Sequence, residues 1–199
     1  MTSKILQIKN QLVNDIKNSL QTNAWFYKEH LLVVEKLALD LCKLYPEANQ
    51  DAVALMVWFH DIGRAHGHHQ QHDLYGANYA KKILTENNFD KKFIDLVVNA
   101  CKTHSCDNYG KPTSLEGKIL ATADAMSHFH NGFYLRIFHS WTIKDDSNAD
   151  KTIGYHKLKE KLFAKMDRDL NEKIFFEEAK KAMKPHYLAW QKIIKAISL

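Results

Sequence analysis

Ala52-Val53-Ala54-Leu55-Met56-Val57-Trp58-Phe59 is an unbroken apolar run that leads directly into His60-Asp61 and then Ile62-Gly63-Arg64. A segment apolar on every side reads as a helix buried at the centre of a domain. Its end nevertheless carries an imidazole and a carboxylate. A desolvated carboxylate is costly unless a cation or hydrogen bonds compensate it, so a positive partner is expected there. Imidazole and carboxylate together are donors that a borderline-to-hard divalent metal accepts. Further ligands of the same kind are therefore expected elsewhere in the chain.

Outward from this run, the sequence reads as helices. Ile5, Ile8, Leu12, Ile16 and Leu20 give a helical period over about residues 3–22, and Phe26, His30, Val33, Val34, Leu37 and Leu41 give another over about 25–44. Gly63 is expected to end the buried helix in a left-handed turn. A His-rich loop, His66 to His72, precedes helices expected at about 73–86, 90–104 and 114–128. The polar stretch from Ile143 to Thr152 reads as a mobile loop. Beyond it, Tyr155, Leu158, Leu162, Met166 and Leu170 open a tail of two or three helices, the last of them after Pro185.

Few glycines and prolines (7 and 3) and abundant Leu, Lys, Glu and Ala favour helix over strand, so the fold class is all-α. The 199 residues suit one domain, 1–199, with a metal-binding core at about 25–140 and a helical extension at about 153–199. The net charge of +5 suits polyanions. Because the lysines are scattered rather than arranged in a basic stripe with interleaved aromatics, nucleic acid is not expected as the main partner. Three cysteines without a Cys-x-x-Cys pair point to a reducing compartment. With no membrane-length apolar stretch and no signal core, a cytoplasmic protein without membrane contact is expected.

Each of four expected inner helices presents metal-capable residues from an otherwise apolar face: His30, His60 with Asp61, His104, and Asp124. One such histidine is ordinarily a satisfied core residue. Four helices doing the same is hard to explain as packing, because each buried polar group would need its own partner.

His30, the doublet in His60-Asp61-Ile62-Gly63-Arg64, and Asp124 in Ala121-Thr122-Ala123-Asp124-Ala125 resemble the HD superfamily of metal-dependent phosphohydrolases. The resemblance spans roughly residues 25–140. It implies an all-α fold in which His30, His60, Asp61 and Asp124 hold one divalent ion. His72, four residues before Gly76, and His104 match positions of the branches that hold two metals. The cyclic-dinucleotide branch has a second histidine and a Gly-Tyr-Pro string where this chain has Ser105 and Tyr109-Gly110-Lys111-Pro112. Cyclic-dinucleotide cleavage is therefore not expected. The stringent-response branch has Glu-Asp where this chain has Arg64-Ala65-His66-Gly67, which weighs against that activity without excluding it.

A carboxylate can bridge two cations, so Asp61 could join a first ion at His30, His60 and Asp124 to a second at His72 and His104. Ions about 3.5–4 Å apart in that way would share a hydroxide. The mixed nitrogen and oxygen set without cysteine leaves Mn, Fe, Co, Ni or catalytic Zn. Arg64 resembles the basic residue that follows the doublet in the family and could pair with a substrate phosphate. His128, four residues after Asp124, should share its face and serve as general acid or substrate contact.

The expected function is hydrolysis of a small phosphorylated molecule, a nucleotide first among them, by a metal-bound hydroxide, with Asp61, Arg64 and His128 as catalytic groups. Two alternatives are a di-iron oxygenase on the same fold and a non-catalytic nucleotide sensor.

Overall fold

A computed structural model describes residues 2–19, 25–144 and 151–197, with side chains placed outside 143–144 and 151–155. Helix α1 (Ser3–Ser19) buries Ile5, Ile8, Leu12 and Ile16. A π-helical segment, Phe26–Leu31, runs into α2 (Leu32–Leu44). Then come α3 (Gln50–Phe59), the short α4 (Ile62–Ala65), α5 (His72–Glu86), α6 (Lys91–Thr103) and α7 (Leu115–Ser127). Helix α8 (Phe133–Lys144), α9 (Lys151–Arg168), a second π-helical segment (Asp169–Lys173) and α10 (Glu177–Ala196) complete the order. No strand occurs among the described residues, so the protein is all-α.

The centre of the fold is α3, and all eight residues of its apolar run are buried. Asn49 starts it by accepting a hydrogen bond from the Ala52 amide (3.0 Å), which satisfies one of the donors that every helix start leaves free. Asp90 and Ser114 do the same for α6 and α7. Helix α3 packs against α1, α2, α6 and α7, and the large side chains Trp58, Phe59 and Leu55 are wholly enclosed. Each such burial stabilises by roughly 1.5–3 kcal/mol relative to exposure. Enclosure on every side also gives α3 no freedom to rotate, so His60 and Asp61 leave its end in a fixed direction.

Gly63 does not end α3 in a left-handed turn. The chain continues through α4, and the nearby positive φ belongs to Gly67, at 84°. What position 63 requires is space, because a Cβ there would lie 2.7 Å from the Cα of His72. Gly76 has the same role one turn into α5, where a Cβ would meet the Phe59 carbonyl oxygen at 2.4 Å and that of His60 at 3.0 Å. These two glycines let the start of α5 lie in backbone contact with α4, at Gly63, and with the end of α3, at Gly76.

The tail packs back on this centre as α9, the second π-helical segment and α10, the segment lying against α7 and α10. Pro185 does not separate two helices, because α10 runs through it with the proline on the exposed face. The sequence reading singled out no helix between Ser127 and Ile143, where α8 lies. The expected loop at 143–152 falls mostly on residues 145–150, and Leu20 and the end of the first expected helix fall on 20–22; both lie outside the described residues. No helix among the described residues is long and apolar enough to cross a membrane.

Candidate metal centre

His60 caps the end of α3 and directs its Nδ1–H to the Val57 carbonyl (2.7 Å), which turns the Nε2 lone pair inward. Burial pushes its pKa down against the pull of Asp61 and Asp124, so the ring is neutral. That Nε2 is buried and has no hydrogen-bond partner, a vacancy that native structures rarely leave without a reason. His104, at the end of α6, repeats the arrangement with its Nδ1–H on the Cys101 carbonyl (2.7 Å). Burial and the neighbouring His60 lower its pKa to about 4. His72 points its Nδ1 at the His69 carbonyl (3.1 Å). In the first π-helical segment, His30 turns its Nδ1 to the Ser127 hydroxyl (3.0 Å), whose own proton goes to the Asp124 carbonyl (2.7 Å). All four histidines are thus held by one nitrogen and present the other, as metal-bound imidazoles are oriented by their outer partners.

The presented nitrogens meet carboxylates. His30 Nε2 lies 3.3 Å from Asp61 Oδ2 and 3.5 Å from Asp124 Oδ1. His60 Nε2 lies 3.8 and 3.9 Å from the same two oxygens. The other oxygen of Asp61, Oδ1, faces His72 Nε2 at 3.4 Å and His104 Nε2 at 3.9 Å. Asp61 is therefore divided between two groups of donors. Asp73 completes the second, 3.8 Å from His104 Nε2 and beside His72, with the Ser105 hydroxyl donating to its Oδ1 (2.8 Å).

Burial alone would raise the carboxyls of Asp61 and Asp124. Arg64 and His60 beside Asp61, and Lys173 and His128 beside Asp124, hold both well below the usual carboxylate range. Arg64 is half-buried rather than on the surface. Its Nε donates to Asp61 Oδ1 (2.9 Å) and its Nη2 to His72 Nε2 (2.9 Å). Lys173 donates to Asp124 Oδ2 (2.6 Å). Lone pairs aimed at ionised carboxylates inside a protein repel one another unless a cation lies between them. The orphaned His60 Nε2 and this nitrogen and oxygen donor set fit a divalent metal ion.

His128 sits where its spacing from Asp124 places it, with Nε2 3.4 Å from Asp124 Oδ1. Its Nδ1 pairs with Asp169 Oδ2 (2.9 Å), which also accepts from the Tyr134 hydroxyl (3.0 Å) and Lys165 (2.8 Å). His30, Asp61, Arg64, Asp124 and His128 border a cavity of about 310 Å³ whose remaining wall includes Phe26, Phe133, Ile137, Lys165 and Arg168. Of the histidine loop, His69 reaches the cavity, while His66 pairs with Asp15 (3.2 Å) and Tyr75 (3.0 Å).

Sequence reasoning missed Asp73, Ser105, Lys165, Asp169 and Lys173. Asp73 had a signal, since His72-Asp73 is a second His-Asp doublet at a helix start. The tail residues had none, because a buried lysine in a lysine-rich segment looks like any other.

An all-α protein with buried histidines and aspartates converging from separate helices is one built around a divalent metal site. The pattern that defines the HD domain matches residues 27–128, just over half of the chain, and the chain belongs to the HD domain family. Among solved structures it is similar to a predicted HD superfamily hydrolase from an uncultured Thermotogales bacterium, determined at 1.45 Å. The TM-score is 0.62 at 20% identity, over 94% of this chain and 88% of that one, a likeness of fold. No curated protein matches.

Proposed function

We propose that this protein is a metal-dependent phosphohydrolase acting on a small phosphorylated molecule of nucleotide size. The observation that carries this reading is the charge of the cavity. Four cationic side chains, Arg64, Lys165, Arg168 and Lys173, border it together with Asp61, Asp107 and Asp124. Adding Asp73 and Asp169 behind the wall gives five acids against four bases, so a single divalent ion makes the site positive even before any imidazole is counted as charged. A phosphate ester is the complementary occupant. A di-iron oxygenase could use the same divided carboxylate, and oxygen consumption by iron-loaded protein would distinguish it from a hydrolase.

His30, His60, Asp61 and Asp124 would hold one ion, and His72, Asp73 and His104 with the second oxygen of Asp61 would hold another. A divalent ion there polarises phosphoryl oxygens and lowers the pKa of bound water. The chain's own groups do the rest. Arg64 places a planar, permanently charged fork beside Asp61, suited to neutralising non-bridging phosphoryl oxygens. His128, oriented by Asp169, presents Nε2 to the cavity as the atom that would hand a proton to the leaving oxygen. Phe26, Phe133 and Ile137 offer an apolar wall to a base or sugar. The volume is at the small end for ligand sites, which favours a mononucleotide-sized ester over a polymer.

The test is phosphate release from a panel of nucleoside mono-, di- and triphosphates and simple phosphate esters, with the protein loaded in turn with Mn, Co, Ni, Zn and Fe. Release that disappears in Asp61→Ala is expected. Loaded protein inert toward the whole panel would overturn the reading, and elemental analysis giving one ion per chain would remove the second site.

A further inference from the structure

We propose that Arg168 is the residue that captures the phosphate group of the substrate, and that Asp107 occupies its guanidinium until substrate arrives. The inference rests on the reading that the substrate is phosphorylated and adds which side chain recognises it. Three of the four cations at the cavity are already committed at short range: Arg64 to Asp61 and His72, Lys173 to Asp124, and Lys165 to Asp169. Arg168 is different. Among the described residues it pairs with Asp107 at 3.7 Å, and both side chains are 37% exposed, so the pair is weak. Its Nε is buried and donates to nothing among the described residues. A part-exposed guanidinium on the wall of a cavity bordered by cations, with a weak pair and an unused Nε–H, is an anion receptor in its free state.

The backbone supports this role. Arg168 is the last residue of α9 and leads directly into the π-helical segment Asp169–Lys173, a local geometry that occurs often at functional sites. Both ends of that segment are tied to the site, Asp169 to His128 and Lys173 to Asp124. The main chain at Arg168 is thus anchored to His128 and Asp124, while its side chain is held, among the described residues, by Asp107. Asp107 is itself tethered through Oδ1, which accepts from the Asn108 amide (2.6 Å), leaving Oδ2 as the surrogate anion. A phosphate dianion offers more charge and a geometry matched to the guanidinium fork, so it displaces the carboxylate. Residue 168 lies outside the 27–128 match to the HD domain, so substrate recognition is here written in the tail.

The experiment is calorimetric titration of metal-loaded protein with inorganic phosphate, alongside steady-state kinetics on any ester that is turned over. Arg168→Ala is expected to weaken phosphate binding by about tenfold or more and Arg168→Lys to restore part of it, since an ammonium keeps the charge without the fork. Asp107→Asn is expected to tighten binding severalfold by removing the competitor. If the Arg168–Asp107 pair were only structural, the two single variants would shift binding in the same direction. Phosphate affinity unaltered in both Arg168 variants, or weakened in Asp107→Asn, would overturn the assignment even if the protein hydrolyses esters. Phosphate binding that depends on Arg168 without turnover of any ester would uphold the assignment and sink the hydrolase reading instead.

Discussion

Lys173 and Asp169 show how much of this site depends on buried charge. Lys173 is 3% exposed and neutralises Asp124 in the absence of any ion. Removing one member of a buried pair typically costs about 3–5 kcal/mol, because the other is left uncompensated. Lys173→Met should therefore destabilise chelator-treated protein by roughly that amount in urea unfolding, and metal-loaded protein by less, since the ion takes over part of the lysine's task. Equal losses in both forms would show that Asp124 does not meet the ion. For Asp169, burial alone would raise the carboxyl, but Lys165 and His128 bring it far below its ordinary value. The folded value lies below the unfolded one. Its stabilisation is thus complete above about pH 4 and is lost as pH falls through the lowered folded value. Asp169→Asn should be less stable than the parent at neutral pH, with the gap narrowing in acid; a gap independent of pH would mean that the carboxylate's charge is not what matters. The residues legible from sequence were those with apolar neighbours. His30, His60, His104 and Asp124 each interrupt an apolar stripe, whereas Lys173 falls between the polar Asn171-Glu172 and the apolar Ile174-Phe175-Phe176, a junction where a buried lysine looks like an exposed one.

Helix α3 holds its end still, and α5 is brought against it by two missing side chains. A Cβ at Gly76 cannot be accommodated by a side-chain movement, because the atoms it would strike belong to the backbone of Phe59 and His60. Gly76→Ala should push α5 away from α3, cost about 1–3 kcal/mol and weaken metal retention in elemental analysis together with thermal stability. Loss of stability with metal content intact would show that the α3–α5 crossing does not set the ligand geometry. The helices themselves were readable from periodicity, most of them to within a residue or two, because polar and apolar positions alternate with the helical repeat. Gly63 was misread because turn formation and close approach select the same residue, and only the position of His72 distinguishes them. Helix α8 was passed over, although Phe133, Tyr134 and Phe138 are buried along it.

For the whole molecule, the proposed metal site would make ion binding and folding one equilibrium. The proposed ligands lie in the first π-helical segment, at the α3–α4 junction and in α7, and those of the proposed second group in α5 and α6. An unfolded chain cannot present this set, so an ion bound to the folded state stabilises it by mass action. Chelation should lower the melting temperature, and titration with metal should restore it in proportion to free ion. A melting temperature indifferent to chelator, in a sample shown to lose its ion, would mean that the cluster stands without one. His30 and Ser127 touch across 97 residues of sequence, and Asp124 and Lys173 across 49. Contacts that close such long loops form late, after local helices and their nearest partners. On refolding from urea, far-ultraviolet circular dichroism should recover before the chain can take up a metal ion, so the interval between the two signals measures how long a nearly complete helical bundle exists without a working interior.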